Sequence, residues 1–146
     1  MTERFDARRG WVTVTARSAA PPERVWALLG DPARWHDWAP HIRSADGRLE
    51  EGARVVVGGP AGVRLPTTIT RVEAPWRWDF RAEPPGPFAL DSVHLLRRDG
   101  EGSVVAVHLR LARLGAVGLG PLAAYLPLAR VAVRRLARLA EDEGAP

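Results

Sequence analysis

Four histidines, one tyrosine and no cysteine set narrow limits on the chemistry open to this 146-residue chain. Without thiols there is no disulfide, no cysteine nucleophile and no thiolate metal site. His36, Asp37 and His41 crowd together, the composition of a metal centre. Ligands sharing a helix face stand three or four apart, however, and Pro40 breaks the helix between the two histidines, so no metal is expected. No other cofactor is implied. Asp91, Ser92 and His94 have the residue types of a nucleophilic triad. Neighbours on a strand project to opposite faces, so Asp91 and Ser92 cannot converge, and no nucleophile-elbow pattern surrounds the serine. The paired glycines lack the strand, GxGxxG and helix setting of a phosphate loop. Two groups remain as candidates for moving a proton or orienting a ligand, His94 and Tyr125. Each has a structural alternative: His94 as an exposed or hydrogen-bonded strand residue, Tyr125 as a phenol that closes the core.

The elements that would position these groups follow from periodicity. Trp11 to Arg17 alternate apolar and polar with β-branched residues and read as a first strand. In AAPPERVWALLGDPARWHDW, Pro21 and Pro22 suit a first helical turn, Glu23 complements its positive end, and Val25, Leu28 and Leu29 recur on one face until Gly30. Asp31 caps a second short helix with Pro32 at its first position, and Trp35 and Trp38, three apart, share its buried side. From Arg48 onward the period becomes that of strands, with turn signals at Glu50-Glu51-Gly52, Gly58-Gly59-Pro60, Glu73-Ala74-Pro75, Pro84-Pro85-Gly86 and Asp99-Gly100-Glu101-Gly102. Five or six strands are expected, clearest at 54–57, 63–72, 76–82, 88–97 and 103–111. Connections this short imply antiparallel neighbours in a meander.

Alternation also assigns faces. Trp76, Trp78 and Phe80 point one way, inward as aromatics, while Arg77, Asp79 and Arg81 point the other. Val105, Val107, Leu109 and Leu111 form the apolar face of the last strand, leaving His108 and Arg110 outside. If the hairpin before it turns through two or four residues, Phe88, Leu90, Ser92, His94 and Leu96 share that face; a five-residue loop would expose His94.

No charged residue occurs from Leu114 to Ala129; then Arg130, Arg134 and Arg138, four apart, mark the wet face of a terminal helix. Pro121, Pro127 and three glycines interrupt the apolar stretch, which falls short of the ~20 residues of a membrane span. A packed helix with a loose N-terminal end is expected, and no stable membrane insertion.

The net charge is +4, but every basic residue is arginine, and lysine and asparagine are absent, as in proteins of GC-rich genomes. The arginines are scattered from Arg4 to Arg138 and not clustered with exposed aromatics on one face, so nucleic acid is not an expected partner. The start, MTERFDARRGW, carries no apolar run, so no secretory signal is expected and a cytoplasmic location follows by default. The length suits one domain over 1–146 with its core at about 11–141 and flexible ends. Oligomeric state is not legible.

A strand, two short helices, a run of antiparallel strands and a long terminal helix follow the order of the helix-grip fold, and APPERVWALLGDPARWHDWAPHI resembles the opening signature of the START-like (SRPBCC) superfamily, above all its polyketide cyclase/dehydrase branch. EEGARV, ITRVEAPWRWDF and HLLRRDGEGSVVAVHLRL are similar to later segments of that family. The resemblance implies an α+β fold, a curved antiparallel sheet wrapped around the C-terminal helix, with a cavity between them for an apolar molecule of lipid, polyketide or aromatic type. The alternation then nominates as ligand-binding Trp38 at the cavity mouth; Trp76, Trp78 and Phe80 on one strand; Phe88, Leu90, Ser92 and His94 on the next; Val105, Val107 and Leu109 on the last; and Leu122 and Tyr125 on the helix. The expected function is hydrophobic ligand binding without catalysis. Two alternatives stay open: a polyketide cyclase, aromatase or dehydratase using His94 and Tyr125 for proton transfer, and a protein-interaction or lipid-surface module using the apolar 114–129 segment.

Overall fold

The computed structural model describes residues 5–84 and 89–144. Seven strands form one antiparallel sheet: β1 (Trp11–Ser18), β2 (Ser44–Asp46), β3 (Arg54–Gly58), β4 (Arg64–Glu73), β5 (Arg77–Ala82), β6 (Ala89–Asp99) and β7 (Gly102–Ala112). Their spatial order, β1-β7-β6-β5-β4-β3-β2, is a meander from β2 to β7 with β1 added at the far edge. Helices α1 (Pro22–Leu29) and α2 (Trp35–Trp38) lie between β1 and β2, and α3 (Leu119–Glu143) packs across the concave face. This is the expected helix-grip arrangement. Only β2 lacked a sequence signal, because Ser44-Ala45-Asp46 is too short to show a period.

The connection after β1 is held by tryptophans. Pro22 starts α1 and Val25, Leu28 and Leu29 are its buried face. Helices leave their last carbonyls unpaired, and here the Trp35 indole N–H donates to the Leu29 carbonyl at 2.9 Å and that of Trp38 to the Leu28 carbonyl at 3.2 Å. A Cβ at Gly30 would lie 2.7 Å from the Trp26 ring, so a larger residue there would require that ring to shift.

Helix α3 buries Ala129, Ala132, Val133, Leu136 and Ala140, and exposes Arg130, Arg134 and Arg138 on the opposite side. Ser18 Oγ of β1 donates to the Ala137 carbonyl at 2.8 Å, tying the sheet edge to the helix. The end expected to be loose is helical: α3 begins at Leu119 and runs through Pro127, with Leu122 its one buried residue before Ala129. Pro127 and Ala123, whose carbonyl the proline deprives of its helical partner, are both exposed, so that carbonyl is open to solvent. Gly115–Glu143 is long enough for a membrane span and contains an 18-residue window with a mean hydropathy of 1.5; its inward stripe is packed on the sheet. Val117, Leu128 and Val131 are exposed on the other side.

Ionic groups collect on the outer face of the sheet. Arg77 grips Asp79 through two bonds of 2.9 and 2.7 Å, and Arg81 grips Asp91 likewise at 2.7 and 2.9 Å. Arg110 also reaches Asp91, at 2.8 Å, and lies 4.5 Å over the Trp11 ring. Phe5 stacks on His108 at 3.9 Å and meets Trp11 edge-on. The flexibility expected of the outermost chain ends, and the position of Phe88, lie outside the described residues.

Candidate functional site

A cavity of about 190 Å³ lies between the concave face of the sheet and α3. Strand alternation builds most of its wall. β1 contributes Val14, β3 Val57, β4 Leu65 and Thr67, and β7 Val107 and Leu109. A bulge in β4 between Ile69 and Arg71 shifts the ladder so that Val72 stands opposite Trp78. The helix contributes Tyr125, Ala129, Ala132 and Val133, positions that follow from the arginine stripe as its opposite face.

The hairpin decides where His94 points. β6 and β7 are joined by the two-residue turn Gly100-Glu101, with Asp99 opposite Gly102, so His94 stands opposite Val107 and faces inward. Its ring stacks on Trp78 at 3.7 Å and 11°, and Trp78 stacks in turn on Trp35 at 4.8 Å and 5°. Phe80 lies 5.8 Å from His94. His94 Nδ1 is 3.3 Å from the Trp78 carbonyl and Nε2 is 3.4 Å from Ser92 Oγ, both long contacts. Burial drives its pKa down to about 3, against the opposing pull of the Trp78 carbonyl, so the ring is neutral near pH 7.

A second polar pair closes the other side. Pro40 ends α2, and the chain turns so that His41 leaves the helix and enters the cavity wall. Its Nε2 is 2.7 Å from the Tyr125 hydroxyl, with the rings edge to face at 5.3 Å. His41 Nδ1 and Trp78 Nε1 are buried and have no hydrogen-bond partner among the described residues. Burial lowers the His41 pKa and pushes that of Tyr125 up to about 12, so both are neutral near pH 7. His36, by contrast, is exposed and pairs with Asp37 at 3.1 Å.

Of the residues nominated from sequence, Trp38, Trp78, Phe80, Leu90, Ser92, His94, Val107, Leu109 and Tyr125 line the cavity. Trp76 does not: β5 begins one residue later, the Trp76 N–H closes a turn onto the Glu73 carbonyl at 2.7 Å, and the side chain is 43% exposed. Val105 is buried outside the lining, opposite Ala16 where α1 and α3 close over that end of the sheet. Leu122 is buried in the packing at the start of α3. Nor does the structure join His94 to Tyr125, since their hydrogen-bond partners are Ser92 with the Trp78 carbonyl and His41 respectively. His41, Ile42 and Trp35 were not nominated; Trp35 was assigned to the core, and the loop after Pro40 has no period from which a facing could be projected.

Known structures share the architecture. XoxI from Bacillus cereus superposes with a TM-score of 0.73 at 18% identity, over 94% of this chain and 99% of its own. Protein MLL2253 from Mesorhizobium loti gives 0.75 at 16%, over 93% and 99%. DynU16, a protein of the dynemicin biosynthetic locus, gives 0.72 at 24%, over 91% of this chain and 48% of its own. At these identities the likeness establishes the fold alone. No curated protein matches the chain in sequence. Residues 10–142, however, match the family described as polyketide cyclase / dehydrase and lipid transport, and a match over nearly the whole chain, on a helix grip with a cavity under its terminal helix, means that the protein belongs to that family.

Proposed function

We propose that this protein binds a neutral, apolar molecule of one or two rings between its sheet and α3. The observation that carries the reading is the character of the wall: a cavity of about 190 Å³ is lined by aromatic and aliphatic side chains, with no Asp, Glu or Arg among its described lining residues. A dry apolar cavity of roughly 150 Å³ is large enough to take up benzene. An ionised ligand would lose its hydration with no counter-charge to replace it. The polar groups present, His41, Thr67, Ser92, His94 and Tyr125, are few and fixed, as in sites that orient an otherwise apolar ligand. Three tryptophans in the wall, Trp35, Trp38 and Trp78, supply the assay. Naphthalene should change tryptophan emission saturably, and Ala132→Leu, which fills the cavity from the helix side, should weaken its binding at least about tenfold with the fold retained. Absence of saturable binding by the wild type would end this reading.

A cyclase or dehydratase of the same fold is the second reading, favoured by the family and by the Tyr125 and His41 pair, which brings two proton-carrying groups within 2.7 Å in one cavity wall. His94 supports it less, because a base with a pKa near 3 is poorly matched to proton transfer at neutral pH. Saturable cyclisation of a poly-β-keto thioester, lost in Tyr125→Phe, would favour the enzyme over the carrier.

A further inference from the structure

We propose that Tyr125 donates its hydroxyl hydrogen to a carbonyl on the ligand, held in that role by His41, so that the preferred ligand is a neutral cyclic ketone or related carbonyl compound with an otherwise apolar body. This rests on the cavity-binding reading above and adds the polar end of the ligand to it.

The argument begins with an orphaned atom. His41 Nδ1 is buried and unpartnered, while its Nε2 lies 2.7 Å from Tyr125 Oη. A neutral imidazole has one N–H and one acceptor nitrogen. If Nδ1 carried the hydrogen, a buried donor would be left without an acceptor. With the hydrogen on Nε2 the bond runs from His41 to the tyrosine oxygen, and the orphaned Nδ1 is only a lone pair. Among buried backbone groups an orphaned N–H is rarer than an under-satisfied acceptor. The indole N–H of Trp78 is already one buried donor without a partner among the described residues, and placing the hydrogen on His41 Nε2 avoids a second, so this tautomer is assigned.

Its consequence falls on the tyrosine. Once Oη accepts from His41, its own hydrogen cannot point back along that contact. Among the described residues Tyr125 Oη makes no other hydrogen bond, and Tyr125 lines the cavity. A buried hydroxyl hydrogen finds an acceptor in nearly all native structures. Tyr125 is half-buried and lines the cavity, so the cavity offers its hydroxyl hydrogen room for an acceptor, and the complement of an O–H donor in an uncharged apolar wall is a carbonyl oxygen. Both members of the pair are neutral near pH 7, burial having lowered the His41 pKa and raised that of Tyr125. A neutral donor satisfies a ketone fully but leaves a carboxylate's charge uncompensated.

The test compares three bicyclic probes of similar size: tetralin, without a polar atom; 1-tetralone, with one carbonyl; and 1-naphthoate, with a carboxylate. Wild type should bind 1-tetralone roughly threefold to tenfold more tightly than tetralin, the worth of one net hydrogen bond, and 1-naphthoate weakest. Tyr125→Phe should abolish the preference for the ketone while still binding tetralin. The infrared carbonyl stretch of bound 1-tetralone should lie lower in wild type than in Tyr125→Phe, a shift that a merely structural role for the tyrosine would not produce. His41→Gln, which keeps an N–H donor, should retain more of the ketone preference than His41→Leu. Equal affinity of wild type for tetralin and 1-tetralone, or a ketone preference and carbonyl stretch unchanged in Tyr125→Phe, would overturn the proposal while leaving apolar binding standing. Failure of all three probes to bind would overturn the cavity reading, and this proposal with it.

Discussion

His94 and Trp78 face each other across β5 and β6, and burial in this packing sets the charge state of the histidine. The imidazole is stacked at 3.7 Å on an indole and buried in the cavity wall, and its pKa falls from an ordinary 6.5 to about 3. Above pH 6.5 neither the folded nor the unfolded chain binds this proton. Between 6.5 and about 3 the unfolded chain binds it and the native one does not. Stability therefore falls with decreasing pH, by about 1.4 kcal/mol per pH unit from this group. His41 acts in the same direction, its pKa also lowered by burial. Burial alone would raise the pKa of Asp91, but hydrogen bonds from Arg81 and Arg110 outweigh it and hold the carboxylate below 3.8, so its contribution is lost only at still lower pH. His94→Gln removes one term and keeps the others. Urea denaturation at pH 7 and pH 5 should show the variant losing about 1–2 kcal/mol less than wild type over that interval; equal losses would show that His94 is protonated in the native state. Trp38 is a simpler residue. It is 6% exposed, borders the cavity and donates to the Leu28 carbonyl. Trp38→Ala should cost about 3–5 kcal/mol, and a loss under about 1 kcal/mol would mean that the ring is not part of the core.

At the scale of the elements, the contrast between what periodicity revealed and what it did not has physical causes. Strands advertise their faces: Trp78 with Phe80, and Val107 with Leu109, were assigned inward from alternation alone and line the cavity. The facing of His94 stayed open in the sequence because it depends on hairpin length, and one residue more in the Gly100-Glu101 turn would have inverted it. Trp76 failed because alternation says nothing about where a strand begins. His41 was invisible for the opposite reason: it stands beyond Pro40 in a turn, where neither the helical nor the strand period applies. Helix α3 shows a third case, a proline carried inside a helix that its neighbours still hold. Pro127 lacks the N–H that would pair with the Ala123 carbonyl, and both residues are exposed, so its replacement disturbs no packing. Pro127→Ala should stabilise the protein by about 1–3 kcal/mol. A thermal midpoint unchanged or lowered would mean that α3 needs the bend a proline gives to follow the sheet.

On the scale of the whole molecule, charge and cavity are separated. The chain carries a net charge of +4 and 21 arginines. The strand arginines Arg77, Arg81 and Arg110 pair with Asp79 and Asp91 on the outer face, and those of α3 that form the stripe, Arg130, Arg134 and Arg138, face solvent. None of them enters the described cavity lining. Two modes of ligand capture then predict opposite salt dependence. Attraction of an anion to exposed arginines is screened as the Debye length shrinks from about 10 Å at 0.1 M salt to about 3 Å at 1 M. Entry of a neutral molecule into an uncharged cavity has no such term. Affinity for tetralin, read from the ligand-dependent rise in unfolding free energy, should therefore be unchanged between 50 and 500 mM sodium chloride. The rise itself should approach about 2.7 kcal/mol at a hundredfold excess over Kd. Any naphthoate held outside the cavity should be released over the same salt range. A loss of tetralin affinity beyond roughly threefold, which is more than 0.6 kcal/mol, would place the ligand among the arginines of the surface and not beneath α3.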